Sequence, residues 1–243
     1  MALRIGFDLD GVLADMETAL VREAEKLFGP GVVRQRGQQA KAGPASMSDL
    51  VPEEVSDDSP LRHDLQLTAR QRRQLWRHVQ AIDRFWESLD EMEPGIVARL
   101  EALTTERRWE IIFLTRRPAT AGPPAQLQSQ RWLEARGFRL PSVYVVTSSR
   151  GLIASALTLD LVVDDTPENC VDVAADSKAR TIAIFRHPEL PPPPSLQTMG
   201  IHLVKSTGEC LDLLLDIDAS LQQQPGAVER LMRNLGLKQS ANA

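Results

Sequence analysis

Acidic side chains follow two apolar runs of this sequence at the point where each run ends. The run IGFDLD closes on Asp8 and Asp10, and the run LDLVVDD closes on Asp164 and Asp165. A third run, IIFLT, ends at Thr115. Ligands of parallel α/β sheets bind beyond the carboxyl ends of the strands. If these runs are strands, four carboxylates and one hydroxyl meet at a single edge of the sheet.

Carboxylates gathered in this way repel one another, and their burial without a positive partner is costly. A hard divalent cation with oxygen ligands best satisfies such a set. Mg²⁺ commonly takes one or two carboxylates, several waters and a substrate phosphate, which leaves one acid to attack and another to move a proton. The pattern therefore favours a Mg²⁺ site that acts on a small phosphorylated substrate.

The elements that would position these residues alternate along the chain. Runs rich in Val, Ile, Leu and Phe predict strands that are buried on both faces; they lie at 3–10, 109–115, 143–148, 159–165 and 181–185. Helical spacing of apolar residues occurs between several of them, and Val228 to Leu235 predicts a last helix. We therefore expect an α/β fold, a Rossmann-like parallel sheet with helices on both faces.

One long interval separates the first two predicted strands, and we interpret residues 16–95 as a helical cap inserted into a core domain of residues 1–15 and 96–243. The first half is polar and rich in Gly, Pro and Ser, which predicts loop. In the second half Thr68 is a plausible N-cap. The apolar spacing that follows predicts one helix as far as Pro94; it comprises Leu75, Val79, Ile82, Trp86 and Leu89.

The segments DLDGVLAD, FLT and VVDD resemble motifs I, II and IV of the haloacid dehalogenase (HAD) superfamily, in the same order and with the cap interval between the first two. Within that superfamily, FWESLDEMEPG and DLVVDDTPENC most resemble the 5′(3′)-deoxyribonucleotidases and their uncharacterised bacterial relatives. The resemblance covers about residues 3–187. It implies a Mg²⁺-dependent phosphomonoester hydrolase with a HAD-like fold.

The resemblance also implies a role for each matching residue. Asp8 would be the nucleophile that becomes an aspartyl-phosphate, and Asp10 would protonate the leaving oxygen and then activate water. Gly11 would let the chain turn sharply beside the phosphate, and Thr115 would donate a hydrogen bond to the phosphoryl oxygens. The metal ligands would be Asp8, the Asp10 backbone carbonyl and Asp164, with Asp165 beside them.

The family pattern also includes a lysine, motif III, between motifs II and IV, yet residues 118–163 contain no lysine. Arg150 is the candidate replacement because it follows a predicted strand upstream of motif IV, and a guanidinium supplies the same charge. Lys178 or Arg116 are the alternatives. Of the two arginines after Thr115 we expect one, Arg116, to contact phosphate and Arg117 to lie on the surface.

Several other residues allow two interpretations. Trp76 and Phe85 either pack in the protein or face the cleft and stack on a nucleobase, and packing is the commoner outcome for such residues. Asp15 either favours the dipole of the following helix or supports the site. The favoured substrate is a nucleoside monophosphate. The alternatives are a sugar phosphate or other small ester, and a binding or regulatory protein with little turnover.

Composition limits the other function classes. The chain has 243 residues, a formal net charge of −5 and a pI near 5.5, which argues against a dedicated nucleic-acid or membrane-surface binder. Two cysteines cannot build a disulfide framework. Without a leader-like start or an apolar run of membrane-spanning length, we expect a cytoplasmic protein whose partners are small molecules.

Overall fold

The computed structural model describes residues 2–30, 67–186 and 191–223. Within these ranges the chain forms one parallel sheet with the strand order β3-β2-β1-β4-β5-β6. The strands are β1 Arg4–Asp8, β2 Glu110–Thr115, β3 Ser142–Val145, β4 Leu161–Asp164, β5 Arg180–Ile184 and β6 His202–Val204. The predicted α/β class is confirmed. The three-residue strand β6 was not predicted.

Eight helices connect and flank the strands in the described ranges. They are α1 Met16–Phe28, α2 Ala69–Ala81, α3 Ile96–Arg107, α4 Ala125–Ala135, α5 Arg150–Ala156, α6 Pro167–Asp176, α7 Pro194–Thr198 and α8 Thr207–Gln223. The fold therefore alternates strands with helices, as expected for a parallel sheet.

Neighbouring residues of each strand pack into different apolar clusters. Phe113 of β2 and Val163 of β4 belong to the cluster that includes α3 and α8. Leu114 and Val162 belong to the cluster formed with α5 and α6. Because successive side chains of a strand point to opposite faces, both faces of the sheet are covered by helices, and the strands read as continuous apolar runs.

The helix of the inserted interval begins as predicted and ends earlier. The Thr68 side chain accepts a hydrogen bond from the Gln71 backbone in a capping box, and helix α2 ends at Ala81 rather than near Pro94. The chain then adopts a left-handed conformation at Arg84 and forms a 3-10 turn over Phe85–Glu87. Trp86 of that turn continues the apolar spacing of α2 without belonging to the helix, so the prediction of one long helix was wrong.

The described part of the insert packs into the main core. Leu75 and Val79 of α2 and Trp86 of the 3-10 turn are fully buried in the same apolar cluster as Ile5 of β1. The predicted loop at residues 31–66 and the helix predicted around residues 228–235 lie outside the described residues. No helix in the described ranges combines the length and apolar character that crossing a membrane requires.

Candidate functional site

The acids predicted to meet at one sheet edge lie on the two central strands. Phe7 of β1 pairs with Val163 of β4, so the next residues, Asp8 and Asp164, lie at the same level. Thr115 ends β2 on the other side of β1. Asp8 and Asp164 are only 7% and 1% exposed, so their carboxylates require partners within the protein.

Arg150 lies between these two carboxylates. Its Nη2 donates to Asp8 Oδ1, and its Nε lies 3.6 Å from Asp164 Oδ2. The Arg150 residue is 2% exposed. Within the described residues, neither Nε nor Nη1 of Arg150 has a hydrogen-bond acceptor. Buried donors are nearly always paired in native proteins, so these two N–H groups mark a place for an additional acceptor.

The first turn of α5 fixes the position of Arg150. The Ser149 hydroxyl caps the helix by accepting from Leu152 N at 3.2 Å, and it donates to Asp172 Oδ2 at 2.8 Å. Asp172 Oδ2 also accepts from Gly151 N at 3.1 Å. A Cβ at Gly151 would lie 2.3 Å from the Asp172 carbonyl oxygen, so glycine permits the close approach of α5 to α6. Sequence reasoning did not identify these supporting residues.

Asp10 is held by a different arginine. Arg117 donates from Nη2 to Asp10 Oδ1 at 2.7 Å and from Nε to both carboxylate oxygens at 3.0 and 2.9 Å. The Thr115 hydroxyl donates to Asp10 Oδ2 at 3.1 Å. Both Asp10 oxygens therefore accept hydrogen bonds, and the carboxylate is fixed relative to the end of β2.

The placement of the two arginines after β2 corrects the sequence interpretation. Arg117, expected on the surface, is 3% exposed, whereas Arg116 is exposed and interacts electrostatically with Asp164. The sequence did contain a signal for the burial of Arg117. Side chains of an extended chain alternate between two sides, so residues 115 and 117 are expected on the same side. Whether Arg116 contacts a phosphate stays a prediction.

The aromatic side chains considered for stacking lie mostly in the core. Phe85 and Trp86 are 3% and 0% exposed, so packing is the correct interpretation for both. The Trp86 indole donates to the Pro118 carbonyl at 3.0 Å. Trp76 packs partly against the same core and retains some exposure.

The loop after β1 brings Gly11 against Asp165. Gly11 has φ +81°, and a Cβ there would lie 1.9 Å from Asp165 Oδ2. The residue must therefore be glycine both for its left-handed backbone and for this contact. Arg186 ties the loop to the end of β5, since its Nη1 donates to the Gly11 carbonyl at 2.5 Å. Asp15 caps α1 by accepting from Thr18 N at 3.0 Å.

Three acids of the site have pKa values above the ordinary value. Burial raises the pKa of Asp8 well above its ordinary value; Arg150 opposes the increase, while Asp164, Asp10 and Asp165 add to it. Burial also raises the pKa of Asp164 against the lowering effects of Arg150 and of hydrogen bonds from Thr166 and Asn169. Burial and the neighbouring Asp164 raise the pKa of Asp165 to about 8. In each case burial is the largest cause, so the protein disfavours the ionised form of these acids.

Buried carboxylates whose ionised form the protein disfavours fit a hard divalent cation, because the cation would stabilise that form. The Asp10 carboxylate is engaged by Arg117 and Thr115, which leaves its backbone carbonyl as the Asp10 donor available to an ion. In the part of the chain that the structure describes, no three His, Cys, Asp or Glu side chains are arranged as an ion site. The metal role of Asp8, Asp10, Asp164 and Asp165 therefore stays a prediction.

The alternatives to Arg150 lie elsewhere. Lys178 is exposed and precedes β5, which places it at the amino end of the sheet, opposite the acids. Cys170 is buried on α6 beside the site, and its thiol lies 3.7 Å from the Asp164 carbonyl. Its burial is that of a small packing residue.

No model of a known protein family matches the sequence, and no curated protein sequence matches it. Solved structures do match, and three of them, described below, each have a TM-score of 0.50. A hydrolase from Pseudomonas syringae is 18% identical, with 89% of this chain and 99% of that chain covered. A HAD family hydrolase from Deinococcus radiodurans R1, solved with bound phosphate and sodium, is 15% identical, with 88% and 96% covered.

A haloacid dehalogenase-like hydrolase from Streptococcus pneumoniae is 16% identical, with 88% of this chain and 98% of that chain covered. At these identities the similarity establishes the fold. The chain therefore has the HAD-like α/β fold that the sequence motifs predicted, over most of its length. A resemblance to the deoxyribonucleotidases in particular does not follow from these structures.

Proposed function

We propose that this chain is a Mg²⁺-dependent phosphomonoester hydrolase that acts through an aspartyl-phosphate on Asp8. The supporting observation is the arrangement of Arg150, which binds Asp8 through Nη2 and has two further buried N–H groups without acceptors in the described chain. Donors beside a nucleophilic carboxylate match what a phosphoryl oxygen requires as its charge develops. Thr115, at the end of the neighbouring strand, has its hydroxyl beside the same acids, where it donates to Asp10.

In the first half of the proposed reaction, an Asp8 carboxylate oxygen attacks phosphorus. The new O–P bond forms as the ester P–O bond breaks, and protonated Asp10 gives its proton to the departing oxygen. Arg150 holds Asp8 and a phosphoryl oxygen together, so no reorganisation is required at the moment of transfer. The products of this half are the free alcohol, the aspartyl-phosphate and the Asp10 carboxylate.

In the second half the Asp10 carboxylate takes a proton from a water molecule that attacks phosphorus. The bond between phosphorus and Asp8 breaks, inorganic phosphate leaves, and both acids return to their starting states. The hydrogen bonds that Asp10 accepts from Thr115 and Arg117 support this part of the proposal, because they hold the carboxylate in one orientation.

Mg²⁺ belongs to the proposal because its positive charge would stabilise the ionised forms of these buried acids. Asp8, the Asp10 carbonyl and Asp164 would hold it, with Asp165 beside them. The bound cation would neutralise charge on the transferring phosphoryl group.

The proposed substrate class is nucleoside monophosphates, with Trp76 as the remaining aromatic candidate for contact with a base. A sugar phosphate is the second candidate, and the burial of Phe85 and Trp86 favours it, because these rings are not available for stacking. The described residues of the insert offer less aromatic surface than the sequence alone suggested.

The test is phosphate release from a matched panel of deoxynucleoside monophosphates, hexose phosphates and simple aryl phosphates, with Mg²⁺, with Ca²⁺ and with excess chelator. We expect release with Mg²⁺, weaker release with Ca²⁺ and none with chelator, since Ca²⁺ loosens the ligand geometry. Higher kcat/KM on deoxynucleotides than on hexose phosphates is the result expected of a nucleotidase.

The reverse ranking would assign the chain to sugar phosphates. Tight binding of an ester without phosphate release would support the binding-protein alternative and overturn the proposed function. Full release in excess chelator would overturn the metal requirement alone.

A further inference from the structure

Arg117 is a buried charged residue that the proposed reaction does not use directly. Its side chain is 0% exposed, and all three guanidinium nitrogens donate hydrogen bonds: Nε and Nη2 to Asp10, and Nη1 to Ser129 Oγ at 2.9 Å. A fully buried guanidinium is expensive to desolvate. The burial of Arg117 therefore needs an explanation other than a charge on the protein surface.

Two aromatic rings fix the plane of this guanidinium. Arg117 Cζ lies 5.0 Å from the centroid of the Trp86 ring and 5.9 Å from that of Trp132. Cations within about 6 Å of an aromatic face are attracted to it. Ser129 is itself fixed, because its hydroxyl donates to the Ala125 carbonyl at 2.8 Å.

These contacts come from different parts of the molecule. Trp86 belongs to the 3-10 turn that follows α2, whereas Ser129 and Trp132 belong to α4. Through Arg117, the two elements determine where the Asp10 carboxylate lies. Without the guanidinium, Thr115 would be the remaining hydrogen-bond donor to Asp10 among the side chains described above.

We propose that Arg117 is the positioning residue for acid-base transfer by Asp10, held in place by Trp86, Trp132 and Ser129. This inference rests on the proposed phosphoryl-transfer function. Asp10 alternates between giving a proton to the leaving oxygen and taking one from water. A bidentate guanidinium keeps the carboxylate in one orientation for the second step and stabilises the ionised form that the first step leaves behind.

The experiment is a double-mutant cycle on the full chain with 4-nitrophenyl phosphate and Mg²⁺. We compare Arg117→Met, Arg117→Lys, Asp10→Asn and the double variant Asp10→Asn/Arg117→Met, and measure kcat and KM separately. Enzyme concentration is raised for the slow variants, and melting curves check folding. The cycle isolates action through Asp10, because a residue that acts through another loses its effect when that other residue is removed.

Arg136→Met is the matched control. Arg136 also lies over the Trp132 ring, at 4.3 Å, and donates to a backbone carbonyl of the same helix, that of Trp132, without contacting Asp10. We expect this variant to retain kcat within about threefold of the native chain, since general acid-base contributions exceed that range.

We expect Arg117→Met to lower kcat by about 30-fold with KM nearly unchanged, less than the roughly 100-fold or greater loss typical of removing a general acid-base group, because Asp10 itself is retained. The same substitution in the Asp10→Asn background should change kcat by less than about twofold, and Arg117→Lys should recover part of the loss. Arg117→Lys also serves as the test if Arg117→Met fails to fold.

Equal losses in both backgrounds would overturn the inference, as would a loss confined to KM or one shared by Arg136→Met. A native chain that hydrolyses none of the esters would overturn the proposed function itself, and with it the role of Arg117. The native rate distinguishes these two failures.

Discussion

The two buried arginine–aspartate pairs differ in how completely they use their hydrogen bonds. In the pair of Arg117 and Asp10, every guanidinium nitrogen donates to a protein oxygen. In the pair of Arg150 and Asp8, only Nη2 does so among the described residues. The first pair is complete within the protein, whereas the second has donors left for a ligand. In the proposed reaction this contrast corresponds to a positioning role for Arg117 and a phosphate-binding role for Arg150.

The two arginine–aspartate pairs also differ in the residues that surround them. Arg117 lies against two tryptophan rings and a serine, which keep it in one conformation. Arg150 lies among carboxylates whose pKa values are raised by burial, and repulsion from neighbouring acids adds to the increase at Asp8. A strained cluster of charges of this kind is typical of functional sites. Substitutions in the pair of Arg150 and Asp8 should therefore lower activity strongly. Substitutions of the residues that position Arg150 should lower it less.

The largest effect is expected from Asp8→Asn, which removes the acid of the incomplete pair. The variant should lose phosphatase activity while its melting temperature changes little, because the side chains have almost the same volume and one repelling charge is removed. Phosphate release and thermal melting measure the two properties on the same preparation. Retention of a tenth of the native rate would rule out covalent catalysis by Asp8.

Arg150→Ala should come next, with a fall in kcat/KM of about two to four powers of ten, the cost of losing a preorganised charge contact to the transition state. Arg150→Lys should recover part of this loss, because it restores the charge without the fork. Steady-state rates on the best ester of the panel provide the measurement. An Arg150→Ala enzyme within about threefold of the native rate would place phosphate binding elsewhere.

A smaller effect is expected from Asp172→Ala, which removes the acceptor that orients Arg150 through Ser149 and Gly151. We expect kcat/KM to fall by about tenfold, since misplacing a charge costs less than removing it. Asp176→Ala, one turn later on α6 and exposed, is the matched control. Equal activity of the two variants would mean that α5 holds Arg150 without help from Asp172.

The smallest effect concerns stability and Asp165. Its pKa of about 8 in the folded chain exceeds that of an unfolded aspartate, so folding takes up a proton between pH 4 and 8 and stability falls as pH rises through this window. Asp165→Asn cannot ionise. In chelator, its melting temperature should exceed that of the native chain by about 5 °C at pH 8 and by almost nothing at pH 4.

Asp176→Asn, an exposed change of the same type, controls for the loss of one negative charge. A difference in melting temperature that is the same at both pH values would show that Asp165 is ionised throughout the window. Addition of Mg²⁺ at pH 8 should reduce the difference, because a bound cation would compensate the native carboxylate.

The sequence predicted the layout of the sheet because its strands are buried on both faces and read as apolar runs. Strand β6 was not predicted, because its three residues, His202–Val204, are too few to form a recognisable apolar run. The end of α2 was misplaced because Phe85 and Trp86 continue a helical spacing in a 3-10 turn. Apolar periodicity alone does not distinguish the continuation of an α-helix from such a turn.

The acids of the candidate site were predictable for a related reason: each ends an apolar run, and strand ends of a parallel sheet converge. For Arg117 the sequence offered only its spacing of two from Thr115, because its burial depends on rings contributed by Trp86 and Trp132, which lie on either side of it in the sequence. The support of Arg150 by Asp172 likewise depends on how α5 packs on α6. Contacts between helices leave no simple pattern in the residues themselves.

The adjacency of β1 and β4 in the sheet has a consequence for biosynthesis. Asp8 and Asp164 become neighbours only when the first strand pairs with one that follows it by more than 150 residues, as the pairing of Phe7 with Val163 requires. Such non-local pairing is slow, because the long loop must close before the strands gain contacts. Synthesis of β4 must therefore be complete before Asp8 can lie beside Asp164. Arg150, which precedes β4 in the chain, has by then been synthesised and is present to oppose the repulsion between these two acids.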